Sequence, residues 1–226
     1  MTNTKPSECT TPAKAPFGDD DPRARFAKAV MTAGSAIRAV RPEQLDDPTP
    51  CEEFAVRQLL GHLVGVLGRV AAIGREEDPF SAPDVVQDVA DDAWPEAWTT
   101  TAHAVQAAWT DDAALTRIVR LPWSELPGGE TLDGYLNEIT VHTWDLATAT
   151  GQQPTWDPEV LDAAFRAIRQ ILPSENRAAL FEAAMKHVPA DRRVVPFAEA
   201  VEVPADAPLI DRLVAWNGRQ PRSAAA

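Results

Sequence analysis

Residues 131–151 read TLDGYLNEITVHTWDLATATG, and their spacing decides the fold. Leu132, Tyr135, Leu136, Ile139 and Leu146 fall on one helical stripe, and Gly151 supplies a left-handed stop. A helix is predicted over Thr131–Thr150. Glu138 and His142, four residues apart, share one helix face and border that stripe. A carboxylate and an imidazole on the inner edge of a helix are costly to bury unless paired or bound to a metal. The spacing alone fits an ordinary Glu–His helix pair equally well.

The same periodicity extends outward along the chain. Phe26, Val30, Ala33 and Ile37 mark a first helix over Pro22–Val40. Thr49-Pro50-Cys51-Glu52 has the form of a capping box with proline at the first helical position, opening a second helix that ends near Gly74. An acidic, proline-containing loop follows. Trp94, Trp98, Ala102, Val105 and Trp109 mark a third helix over Pro95–Trp109, starting a turn or two earlier if Pro95 is a kink. LTRIVRLPWSELPGGE, residues 115–130, is β-branched and then rich in proline and glycine, a short extended segment and turn. Asp157-Pro158 opens a helix ending at Leu172-Pro173, a weaker helix spans Glu175–His187, and a last one covers Leu209–Asn217. Short loops between amphipathic helices favour an antiparallel bundle. The polar stretch 1–21 reads as a disordered tail, 22–221 as the helical domain and 222–226 as a frayed end.

Composition narrows the function. Lys and Arg number 21 against 34 Asp and Glu, a net charge of −13. Such a chain is repelled by phosphate backbones and anionic lipid, so nucleic acid and membrane surfaces are poor partners. No long uninterrupted apolar run spans a membrane, and the N-terminus lacks the basic start and apolar core of a signal peptide. Two cysteines, Cys9 and Cys51, make neither a disulfide scaffold nor a cysteine-rich metal site, and fit a reducing cytoplasm. Phosphate loops, dinucleotide fingerprints, nucleophile elbows and HExxH are absent from the sequence.

Of the four histidines, His103 and His187 read as ordinary helix residues. His62 interrupts the apolar run LLGHLVGVL at the edge of a buried face, where a histidine is either a satisfied core residue or a ligand. With Glu138 and His142 it completes two imidazoles and one carboxylate from two helices, a set that leaves coordination positions open for water or substrate.

Three stretches carry a family resemblance: TPCEEFAVRQLLGHLVG, LPWSELPG and YLNEITVHTWDLATATGQ. They resemble the mycothiol-dependent maleylpyruvate isomerase-like proteins, a branch of the DinB-like metal-binding superfamily. The closing VPADAPLIDRLVAWNGRQP is similar to the end of short members of that branch. The resemblance implies an all-α, DinB-like antiparallel four-helix bundle with a short hairpin segment and small C-terminal helices. It implies a divalent metal, most often zinc, on His62, Glu138 and His142. It further implies a metal that activates a low-molecular-weight thiol, mycothiol, for attack on a small electrophile. The full isomerase carries a separate C-terminal domain, whereas about 75 residues follow Gly151 here. A thiol transfer or addition other than that isomerisation is therefore expected. A metal-water hydrolase and a non-catalytic metal-binding bundle, structural or regulatory, are the alternatives. The protein is expected to be a cytoplasmic monomer or homodimer.

Around this centre, Asp145 lies three residues after His142 and reads either as the acceptor that orients its ring or as a solvated helix charge. Arg69, seven residues after His62, reads either as a surface charge or as a contact to a carboxylate of substrate or thiol. Trp123 and Trp144 are the pocket-wall candidates. Phe54 stands where the family often carries tryptophan, a change expected to touch packing only. Cys51 has no base nearby in the sequence and reads as structural.

Overall fold

A computed structural model of the chain describes residues 20–121, 124–187, 189 and 198–221. The expected tail, apart from Asp20 and Asp21, lies outside the described residues, as do Cys9, Trp123 and the expected frayed end. Helix α1 covers Pro22–Arg38, with the Asp21 carboxylate accepting from Arg23 N at 2.8 Å and proline in the first turn. Helices α2 (Val56–Gly74), α3 (Trp94–Ala108) and a one-turn α4 (Ala113–Thr116) follow. Strands β1 (Ile118–Leu121) and β2 (Ser124–Pro127) form an antiparallel hairpin in which Ile118 faces Pro127 and Leu121 faces Ser124. Helix α5 is Gly128–Thr150, closed by Gly151 at φ +73°. Helices α6 (Pro158–Ile171), α7 (Arg177–Met185) and α8 (Leu209–Trp216) follow among the described residues. Asp157 caps α6 as its sequence suggests, accepting from Glu159 N at 2.9 Å.

The apparent capping box at Thr49 is a turn instead. Thr49 Oγ1 accepts from Cys51 N at 3.1 Å and donates to Phe54 O at 2.7 Å, and Pro48 bridges to Ala55. The amides that open α2 are met by backbone: Val56 N donates to Asp47 O at 3.0 Å and Arg57 N to Leu45 O at 2.8 Å. With those donors already satisfied, the helix begins at Val56, six residues later than Pro50. Pro95 sits in the first turn of α3 and makes no kink.

Helix α1 packs on α5 and α3, and α2 packs on α3 and α5, around one apolar core. The directions differ from the antiparallel order expected. Arg25 meets Asp133 and Gln152 meets Ala36 O, so α1 and α5 run the same way. Trp98 Nε1 donates to Val30 O and Arg23 to Trp109 O, so α3 opposes α1. Arg57 pairs with Asp91 just before α3, while Trp109 Nε1 donates to Val70 O, so α2 and α3 are parallel. Helix α6 packs on α5 and α1, and α8 on α6 and α5.

Parallel neighbours need a connection that returns the full length of α2, and residues 75–93 supply it. This segment lies on a stripe of small residues. Gly68 faces Ala82, Gly65 faces Pro83 O and Asp84 O, and Gly61 faces Val86 O. Val86 N donates to Gly61 O at 3.0 Å. The three glycines lower the helix propensity of α2 but let two backbones touch. Gly65→Ala is expected to destabilise by about 1–3 kcal/mol, because the new Cβ meets backbone that cannot move cheaply. Gly68→Ala, whose Cβ would make an ordinary contact with Ala82 at 3.4 Å, is expected to stabilise by up to about 1 kcal/mol. Urea unfolding of the two variants checks the opposite signs.

By length and composition, α2 is apolar enough to cross a membrane, although its run is broken by Arg57, His62 and Arg69. Most of it is buried against α3, α5 and the returning segment.

Candidate metal centre

The middle of α2 faces the middle of α5, and His62 meets Glu138 and His142 there. His62 Nε2 lies 3.2 Å from Glu138 Oε1, and His142 Nε2 lies 3.5 Å from the same oxygen. The imidazole rings stand edge to face with centroids 4.8 Å apart. Both histidines are buried, while the Glu138 side chain is 24% exposed and marks the open side.

The other ring nitrogens fix the tautomers. His62 Nδ1 donates to the backbone oxygen of Asp84 at 3.0 Å. A carbonyl oxygen can only accept, so this nitrogen carries the proton. His142 Nδ1 lies 3.1 Å from Asp145 Oδ2, and Asp145 also accepts from Arg219 Nη2 at 2.9 Å and Nε at 3.2 Å. With both Nδ1 atoms committed as donors, both Nε2 lone pairs point at one carboxylate oxygen. That arrangement is repulsive unless positive charge lies among the three atoms. A proton can supply it, and so can a metal ion. Donors about 2.1 Å from a tetrahedral ion stand about 3.4 Å apart, close to the separations seen here. The donor types suit zinc, and the outward hydrogen bonds from each Nδ1 match those that orient metal-bound imidazoles.

The electrostatics follow from burial and pairing. Burial opposes charge on Glu138, but hydrogen bonds from His142 and His62 override it and hold the carboxyl well below its ordinary value. Burial likewise opposes a charged His142, yet the Asp145 and Glu138 carboxylates raise its pKa to about 9. In metal-free protein the charged His142 therefore stabilises the fold fully below pH 6.5, and that contribution is lost as the pH rises to about 9. The ionised Glu138 contributes above pH 4.5 and its contribution is lost as the pH falls below that. The melting temperature of metal-free protein is expected to peak between these two limits and to fall toward pH 9. A metal competes with the His142 proton, so its affinity should rise over the same interval. Melting curves with and without added zinc check both signs.

Phe54 does more than fill the turn before α2. Its ring stacks on His62 with centroids 5.0 Å apart and also approaches His142. Cys51 comes within 4.8 Å of donor atoms of His142 and Asp145, a neighbourhood that its sequence context does not reveal. Burial pushes its thiol up to about 11, against the pull of Arg219. It is therefore a neutral thiol at neutral pH and a weak nucleophile. Arg69 Nη2 pairs with Asp84 Oδ1 at 2.5 Å, and its guanidinium lies beside the Tyr135 hydroxyl. Trp144 is 8% exposed and packs in the apolar core, leaving little indole surface for a ligand.

Fold and cluster together define a class: a helical protein whose two central helices present two imidazoles and a carboxylate to one point. Residues 26–147 match the family described as the mycothiol maleylpyruvate isomerase N-terminal domain, and the chain belongs to that family. His62, Glu138, His142 and Asp145 all lie inside the matched span. Over 205 residues the chain is 30% identical to "Uncharacterized protein MT0763" of Mycobacterium tuberculosis strain CDC 1551 / Oshkosh. It is equally similar to "Uncharacterized protein Rv0738" of strain ATCC 25618 / H37Rv. Each match covers 89% of this chain and all of the relative. No solved structure matches the chain.

Proposed function

We propose that this protein is a DinB-like four-helix bundle in which His62, Glu138 and His142 hold a divalent metal, zinc by its donor set. The metal would serve a thiol-transferase or isomerase-type reaction on a small electrophile, with mycothiol as the thiol. The supporting observation is the convergence of two Nε2 atoms on one Glu138 oxygen, with both Nδ1 atoms already committed. A divalent ion held there supplies Lewis acidity, which lowers the pKa of a bound thiol and yields thiolate at neutral pH. Asp145 and Arg219 keep the His142 ring in one orientation, and Asp84 O does the same for His62. Phe54 stacks on His62 and covers one face of its ring. Glu138, the most exposed of the three, faces the side from which a ligand enters. Residues 22–221 would act as one unit in the cytoplasm.

A second reading, a metal that only stiffens the bundle, draws support from the near-complete burial of both imidazoles. Calorimetric titration of zinc-loaded protein with mycothiol separates the two. Binding accompanied by proton release, read from its dependence on buffer ionisation, is expected for the thiol enzyme. Absence of binding by mycothiol and other small thiols would leave the structural reading.

A further inference from the structure

Two adjacent buried groups near the centre, Arg69 and Tyr135, each keep one N–H or O–H that meets no acceptor among the described residues. Arg69 lies two helical turns beyond His62 on α2, and Tyr135 lies one turn before Glu138 on α5. Because α2 and α5 run in opposite directions, these offsets bring the guanidinium and the hydroxyl together. Arg69 is 7% exposed and Tyr135 9%. Neither Arg69 Nε nor Tyr135 Oη has a hydrogen-bond partner among the described residues. A buried donor left unmade costs about 1–3 kcal/mol, so two adjacent ones call for an explanation.

The anion that Arg69 does hold is loosely placed. Asp84 pairs with Nη2 from the segment that returns along α2, and its side chain is 83% exposed. An ion pair with one partner so exposed contributes little. The backbone oxygen of Asp84, by contrast, holds His62. The side chain can therefore swing away from Arg69 while the backbone keeps its hold on the histidine.

We infer that Arg69 and Tyr135 form an oxyanion subsite beside the metal centre, where a carboxylate or phosphate group of the electrophilic substrate displaces the Asp84 side chain. One oxygen takes the Arg69 Nη2 position that Asp84 leaves, and the other accepts from Nε, the two-pronged geometry of guanidinium recognition. The Tyr135 hydroxyl donates to the same group. The subsite lies along the α2–α5 seam from Glu138, so it anchors one end of a small substrate while the other end reaches the centre. This assignment of a substrate class rests on the proposed metal-thiol function.

The test is calorimetric titration of the full chain, as purified and again with added zinc, using acetate and inorganic phosphate as separate probes. Asp84→Asn removes the internal competitor but leaves its backbone oxygen, and should tighten binding of the preferred probe about tenfold. Arg69→Met should abolish that binding, and Tyr135→Phe should weaken it about fivefold. Melting temperatures of each variant with and without the probe give the same order by linkage, including for a variant of reduced stability. Arg69→Lys, which keeps the charge without the fork, should bind more weakly than wild type while remaining folded. Which of the two probes binds separates a carboxylate substrate from a phosphorylated one. The inference is overturned if neither probe binds wild type or Asp84→Asn, or if binding is unchanged in Arg69→Met and Tyr135→Phe. Anion binding without zinc uptake would retain the subsite and overturn the metal function. Zinc uptake without anion binding would do the reverse.

Discussion

Replacing His142 with alanine is expected to reduce bound metal from about one equivalent to less than a tenth of one. In the proposed centre the histidine is one of three side-chain donors, and it is the one held most firmly. Asp145 fixes its Nδ1, Arg219 fixes Asp145, and its side chain is 7% exposed. Without it, His62 and Glu138 remain as a two-donor site, which binds divalent ions weakly. Glu138→Gln should lose metal to a similar degree while preserving side-chain size, which separates lost ligation from lost packing. His103→Ala, on an exposed face of α3, should keep its metal. Plasma mass spectrometry of the purified variants reads these outcomes. Metal retained in His142→Ala would place the ion elsewhere.

The second large effect lies outside the three donors. Asp145 is fully buried and carries a charge balanced by Arg219 from just after α8 and by His142. Burial works against its ionised form, but His142 and Arg219 hold its pKa below the ordinary carboxylate value. Arg219→Met leaves that carboxylate without its guanidinium. Breaking a buried pair from one side costs about 3–5 kcal/mol, and a loss of this size is expected in urea unfolding. Metal affinity should fall about 10–100-fold as well, since the carboxylate that orients His142 loses its own anchor. The double variant Asp145→Asn with Arg219→Met should cost less stability than the sum of the single changes, because it removes both halves of the pair. Additive costs would show that the two residues do not act as a unit.

The sequence carried the helices well and their arrangement poorly. The stripes of Phe26–Ile37 and Leu132–Leu146, the Asp157 cap and the Gly151 stop all state local preferences that the fold keeps. Thr49-Pro50 misleads because the same residues that cap a helix also close a turn, and distant backbone oxygens at Leu45 and Asp47 decide between them. The parallel run of α2 and α3 follows from glycines at 61, 65 and 68, a spacing visible in the sequence but silent about what packs on it. In the centre, Glu138 and His142 are legible as a helical pair and His62 as a polar break in an apolar run. Asp84 is not, because it acts through a backbone oxygen that any residue would present. Arg219 lies 74 residues beyond Asp145, and no local pattern links them. Cys51 reaches His142 and Asp145 only because residues 50–54 fold as a turn.

The most direct measurement is the divalent metal content of gently purified wild-type protein, followed by equilibrium dialysis against zinc. About one equivalent, found at purification or taken up on dialysis and competed by protons between pH 6.5 and about 9, is the expected result. Less than about a tenth of an equivalent of any divalent metal, with no uptake on addition, would contradict a metal centre at His62, Glu138 and His142.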